Sequence, residues 1–222
     1  DLGEGISFKG GETKASGKIT IKRDGMAVVN YLLPLQLGEC SNNGIICREG
    51  ICYLKVGRTY TNPIISDKSV PDPTVVRAND GHFYLYATQT STYWMPIYRS
   101  KDLVNWEYQK TAFTQATKPS LSGGGAFWAP EMQYINGKYV LYFSWAKMNG
   151  ADVSYTAVAV SDSPLGPFPN SKALITNEEF GSNAIDQFYY EENGKKYMFF
   201  GSFKGIYVTE LTDDGLSVKR DA

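Results

Sequence analysis

Three stretches of this chain echo one another, and that echo limits the possible folds more than any other feature. Asp80-Gly81-His82-Phe83-Tyr84-Leu85-Tyr86-Ala87-Thr88 aligns with Asn136-Gly137-Lys138-Tyr139-Val140-Leu141-Tyr142-Phe143-Ser144. A third copy, Asn193-Gly194-Lys195-Lys196-Tyr197-Met198-Phe199-Phe200-Gly201-Ser202, carries one extra residue. The turn glycines stand at 81, 137 and 194, a period of 56 and then 57 residues. Asp-Gly or Asn-Gly between extended runs marks a tight hairpin. Each copy is followed by a second strand that runs into a polar turn: Pro96–Leu103, Ala157–Leu165 and Gly205–Leu216. Two hairpins per unit make a four-stranded blade, and stacked blades make a β-propeller. No segment carries a sustained helical period. The expectation is an all-β chain, with propeller residues 58–222 divided into blades at about 62–110, 124–175 and 181–222. Residues 1–57 read as a separate small β segment, with alternation in Lys18–Arg23, a turn at Asp24-Gly25 and an extended run Tyr31–Leu37.

An acidic residue stands before each hairpin turn. Asp72, Glu131 and Asp186 precede their turn residues by eight, five and seven positions. Read as equivalent starts of innermost strands, they would bring three carboxylates to one central funnel. Like charges gathered in one place raise one another's pKa, which favours acid–base chemistry over stability. The first of them sits in Ser69-Val70-Pro71-Asp72-Pro73-Thr74. Pro71 and Pro73 fix their own φ, and Pro73 restricts Asp72 as well, so the carboxylate is held in one direction. A plain Pro-Asp-Pro turn is the alternative for Asp72, and a strand cap is the alternative for Asp186. Glu131 reads either as an acid that orients substrate or as half of a salt link beneath the site. Trp94, Phe127, Trp128 and Trp145 either offer stacking faces to a ligand or fill blade cores.

Charge is balanced, 22 Lys+Arg against 23 Asp+Glu, and no basic block points to nucleic acid. The longest apolar stretch, Met26–Leu37, is broken by Asn30 and Pro34 and is too short to span a bilayer. Cys40, Cys47 and Cys52 lie together without a fourth ligand, and the only histidine, His82, is in another segment. They read either as a local disulfide with a free thiol or as small residues of a hairpin, and not as a zinc site.

Five motifs follow one another along the chain: Asn62-Pro63-Ile64-Ile65, Pro71-Asp72-Pro73, Ser100-Lys101-Asp102-Leu103-Val104-Asn105-Trp106, Phe127-Trp128-Ala129-Pro130-Glu131 and Asn183-Ala184-Ile185-Asp186. On these, in that order, the chain from about Asn62 onward resembles glycoside hydrolase family 43. The resemblance implies a five-bladed propeller and an inverting glycosidase acting on oligo- or polysaccharide. Asp72 matches the general base, and Asp186 matches the acid that tunes the general acid's pKa. The general acid is a glutamate expected beyond Ala222. Asn183–Asp186 with Gly201–Ile206 is most similar to the arabinan-degrading branch, although Gln187 stands where a proline is common. The alternatives are β-xylosidase-type specificity and a carbohydrate-binding propeller without turnover. Related propellers often hold calcium in the channel, with ligands expected on later blades. Residues 1–57 resemble the second half of a small immunoglobulin-like domain found ahead of glycan-processing modules in Gram-negative gut bacteria. The resemblance implies a periplasmic, surface-associated or secreted protein, with a lipid-anchored form among the options.

Overall fold

The computed structural model describes residues 31–36, 51–56, 60, 62–66, 68–122, 125–147, 154–180 and 183–220. The chain divides into two compact units, Asp1–Thr59 and Tyr60–Ala222. In the first, β1 (Tyr31–Gln36) pairs antiparallel with β2 (Ile51–Val56), Tyr31 opposite Val56 and Gln36 opposite Ile51. The immunoglobulin-like reading depends on Gly10–Gly17, which lies outside the described residues, as do Cys40 and Cys47.

The second unit is a run of antiparallel sheets, each built from consecutive strands. The first sheet holds β3 (Thr74–Arg77), β4 (Phe83–Tyr86), β5 (Pro96–Ser100) and β6 (Glu107–Thr111). The second holds β7 (Ala126–Ile135), β8 (Lys138–Ala146), β9 (Tyr155–Ser161) and β10 (Lys172–Thr176), followed by a one-turn helix α1 (Asn177–Phe180). The third holds β11 (Phe188–Glu192), β12 (Lys195–Ser202) and β13 (Gly205–Leu211). These are propeller blades in sequence order. The third departs from the expected four strands. After Leu211 the chain turns through Thr212–Ser217, and Val218 returns only as an isolated bridge to Leu211.

Turn chemistry sets the blade registers. Asn136-Gly137 and Asn193-Gly194 are two-residue turns between Ile135 and Lys138 and between Glu192 and Lys195. All four residues have positive φ, which Asn and Gly adopt at little cost. The first turn is longer. Ala78 N–H donates to His82 O at 2.8 Å and Gly81 N–H to Ala78 O at 3.0 Å, so only Gly81 needs a positive φ. That extra length accounts for the first glycine spacing being 56 rather than 57.

The middle blade explains why its strands read as nearly continuous apolar runs. Leu141, Phe143 and Trp145 of β8 pack towards the first sheet with Tyr86, Ile97 and Phe127. Val140 and Tyr142, which alternate with them, pack towards the third sheet with Tyr189, Met198 and Phe200. Both faces of β8 are therefore buried, and every position from Tyr139 to Ala146 is buried. Each large side chain sealed there is worth about 1.5–3 kcal/mol of transfer free energy. The third sheet has one covered face. Its other face exposes Phe188, Phe199, Ile206 and Val208.

The recurring Ser100–Trp106 motif is a folded outer turn. Partial burial opposes ionisation of Asp102, yet the Asn105 and Val104 N–H groups and the Asn105 and Ser100 side chains hold its pKa down at about 2. Trp106 closes the turn by donating to Leu103 O at 3.2 Å and packs beside Leu85, Ala87 and Tyr98.

Candidate active site

One residue per blade takes a left-handed backbone at the mouth of the innermost strand: Asp72 at φ 50°, Ala129 at φ 39° and Asp186 at φ 56°. They stand 57 residues apart at both steps, so the repeat is more regular here than at the turns. Asp tolerates this conformation, whereas Ala meets a steric cost of about 1–2 kcal/mol. The register of β7 against β8 shifts between Trp128 and Glu131, which leaves Ala129 out of the ladder. Strand β7 lies beside both β3 and β11, so the three mouths meet around one line.

Neighbouring side chains hold the three mouths together. Thr88 N–H donates to Pro71 O at 3.0 Å, and the Thr88 hydroxyl donates to Asp72 Oδ2 at 2.6 Å. Ala129 N–H donates to Thr88 Oγ1 at 2.7 Å. In the next blade Ser144 takes the same part, accepting from Asp186 N–H at 2.9 Å and donating to Gln187 Oε1 at 3.0 Å. Gln187 Nε2 donates to Ala129 O. Pro73 and Pro130 follow the first two mouths and Gln187 the third. The residue that departs from the proline pattern uses its buried side chain to tie the third blade to the second.

The position equivalent to Asp72 and Asp186 in the second blade is Ala129. Glu131, expected there, lies two residues further along β7, so two carboxylates rather than three stand at the mouths. Seven residues before Asn136, the offset that separates Asp186 from Asn193, stands Ala129, so the choice of Glu131 follows side-chain type and not the repeat. Asp72 and Asp186 are brought together. Partial burial pushes the Asp186 carboxyl above the usual carboxylate range, and the Asp72 charge pushes it further, although Asp186 as a residue stays open to solvent.

Glu131 is half-buried beneath the mouths. It accepts from Gln133 Nε2 at 2.7 Å and from the Thr74 hydroxyl at 3.4 Å, two residues past Asp72. Burial raises its pKa, and these bonds with the Tyr189 N–H only partly offset that. The folded state thus holds this proton to higher pH than the unfolded state does. The stability tied to it is complete below the unfolded pKa and is lost as pH rises through the folded one. Glu131→Gln is therefore expected to gain stability relative to the parent as pH rises from about 4 to about 7. Urea unfolding of both chains across that range tests it. A difference that is flat, or that falls with pH, refutes it.

The aromatic candidates separate. Phe127 stacks on Phe113 at 4.5 Å and 9°, and Trp145 donates to Ser122 O; both are about 1% exposed and belong to the core. Neither offers a stacking face to a ligand, because alternate positions on an inner blade face two packed sheets. Trp94 and Trp128 are half-buried. The Trp94 ring lies 6.3 Å from Phe127, with the Lys118 ammonium 5.6 Å from its centre. Among the described residues no three His, Cys, Asp or Glu side chains converge to hold a metal. Sequence reasoning passes over Thr88 and Ser144 and meets Gln187 only as a departure from proline. The available signal was the hydroxyl residue that follows Ala87 and Phe143 in the first two repeats.

Residues 60–222 match the profile of "Glycosyl hydrolases family 43". The chain is 30% identical over 156 residues to the extracellular endo-α-(1→5)-L-arabinanase 1 of Bacillus subtilis, covering 66% of this chain and 47% of that protein. It is 32% identical over 158 residues to the extracellular exo-α-(1→5)-L-arabinofuranosidase of Cellvibrio japonicus, covering 65% and 44%. The crystal structure of an endo-arabinase from Bacteroides thetaiotaomicron superposes with a TM-score of 0.58 at 26% identity, over 74% of this chain and 58% of that one. The chain thus spans roughly half the length of these relatives. Among the described residues no helix is long and apolar enough to cross a membrane.

Proposed function

The chain belongs to glycoside hydrolase family 43, and from that premise we propose that the whole protein hydrolyses α-L-arabinofuranosyl linkages of arabinan or arabinoxylan with inversion. The observation that carries this reading is the pair of carboxylates, Asp72 and Asp186, at equivalent blade mouths and within electrostatic reach of each other.

Asp72 is the general base. Its carboxylate takes a proton from a water molecule as that water attacks the anomeric carbon. The glycosidic C–O bond breaks on the opposite face, and a carboxylic acid there protonates the departing oxygen. Inverting sites keep base and acid roughly 6.5–9.5 Å apart to admit the water. We assign the acid to a glutamate of a following blade. The exposed apolar face of the third sheet supports a further blade packing there. Asp186 acts on that acid. As a nearby negative charge it keeps the acid protonated near neutral pH. Trp94 and Trp128 are the rings available to sugars, and Glu131 supports β3 from below through Thr74.

Two of the named relatives are extracellular. That supports an enzyme working outside the cytoplasm, whether periplasmic, at the cell surface or secreted. Proton NMR of the first product tests the mechanism. An α-L-arabinofuranosyl substrate should release β-arabinose before mutarotation. Initial release of the α-anomer, or no release from arabinan by the whole protein, would overturn the proposal.

A further inference from the structure

We propose that Thr88, Ala129, Gln187 and Ser144 form one directed chain of hydrogen bonds that aims the Asp72 carboxylate, with Thr88 as the positioning residue at its end. The proposal rests on the reading of Asp72 as base. Five bonds run in sequence. Asp186 N–H donates to Ser144 Oγ, and the Ser144 hydroxyl donates to Gln187 Oε1. Gln187 Nε2 donates to Ala129 O, Ala129 N–H donates to Thr88 Oγ1, and the Thr88 hydroxyl donates to Asp72 Oδ2.

The direction of the chain is fixed by its members. A peptide N–H can only donate, while a peptide carbonyl and an ionised carboxylate can only accept. Ala129 O therefore selects the amide nitrogen of Gln187, which turns Gln187 Oε1 towards Ser144. Ala129 N–H occupies Thr88 Oγ1 as an acceptor, so the Thr88 proton goes to Asp72. Ala129 N–H and Ala129 C=O belong to successive peptide units, so the two halves of the chain are coupled through the position of the Ala129 backbone, while Thr88 and Gln187 each polarise their own two bonds. Ser144 and Gln187 are buried, which shields the middle of the chain from water. At the exposed end, Oδ2 is tied down by Thr88, which turns Oδ1 to the attacking water.

A simple staple between blades would use the same atoms without any bearing on the base, so the test separates the two roles. In the whole protein, Thr88→Val keeps the side-chain shape and removes the hydroxyl. Its kcat on 4-nitrophenyl α-L-arabinofuranoside is expected to fall roughly 10- to 100-fold, with KM changed by less than about 3-fold. Thr88→Ser, which restores the hydroxyl, should recover most of the rate. Gln187→Met interrupts the chain far from Asp72 and should lower kcat by a smaller amount, again with KM little changed; it decides the matter if Thr88→Val does not fold.

A folded Thr88→Val enzyme with the parental rate overturns the proposal. So does a loss of rate with KM raised in proportion and a lowered melting temperature, which marks a staple. So does a Thr88→Ser enzyme as impaired as Thr88→Val. If Asp72→Ala itself remains active, the assignment of the base fails. If Asp72→Ala is inactive while Thr88→Val is normal, only the positioning role fails.

Discussion

Asp72→Ala in the whole protein is expected to lower arabinan hydrolysis roughly 10²–10⁴-fold, the usual contribution of a positioned general base. Fold and sugar binding should persist. Asp72 is exposed, so no packed cavity is left by truncation. Its left-handed backbone is also one that alanine demonstrably holds in this molecule, at Ala129. The bond lost is the one from Thr88, whose hydroxyl can turn to solvent at the open mouth. Because a base acts on the transition state far more than on the bound substrate, kcat should fall while KM stays near its parental value. Steady-state kinetics with calorimetric binding of an arabino-oligosaccharide provide the check. Unchanged turnover would remove Asp72 from the mechanism, and loss of binding together with melting would make it a structural residue.

The second large effect is expected with residues 1–222 by themselves. If the proton donor stands on a later blade, this chain should be almost inert towards arabinan. A natural glycoside leaves as an alkoxide unless protonated, and losing general acid catalysis costs roughly 10²–10⁴-fold. An aryl arabinofuranoside leaves as a stabilised phenolate and depends much less on the acid, so a trace of its hydrolysis should survive. That trace should vanish with Asp72→Ala. Vigorous arabinan cleavage by residues 1–222 would place the acid among them. Glu131 would be tested first, since burial already raises its pKa.

The architecture was legible because hairpins leave local signatures. An Asn-Gly pair at a fixed period needs no tertiary information to be read, and the sheets follow from it. Asp72 and Asp186 were legible for the same reason, with the family motifs to support them. Glu131 is the acid nearest the second mouth, and choosing by side-chain type selects it although the repeat points to Ala129, seven residues before its turn as Asp186 is before its own. The aromatics were not separable in advance. On an inner blade both faces of a strand are apolar, so Trp145 and Trp128 look alike in sequence although one is sealed and the other half-open. The polar ties were hidden for a different reason: Gln187 meets Ala129 O and Ser144 only after three blades have come together.

The three blade mouths share one backbone shape yet carry Asp, Ala and Asp. The bonds between the mouths run through main-chain atoms and through Thr88, Ser144 and Gln187, and only at Asp72 does the mouth residue's own side chain take part, as acceptor from Thr88. A repeat that arose by duplication could therefore lose or regain a carboxylate at this point without loss of fold. Reactivity and architecture are in this sense inherited separately. Ala129 already holds the backbone shape that Asp72 and Asp186 share, so the form of a mouth does not depend on which of these side chains it carries.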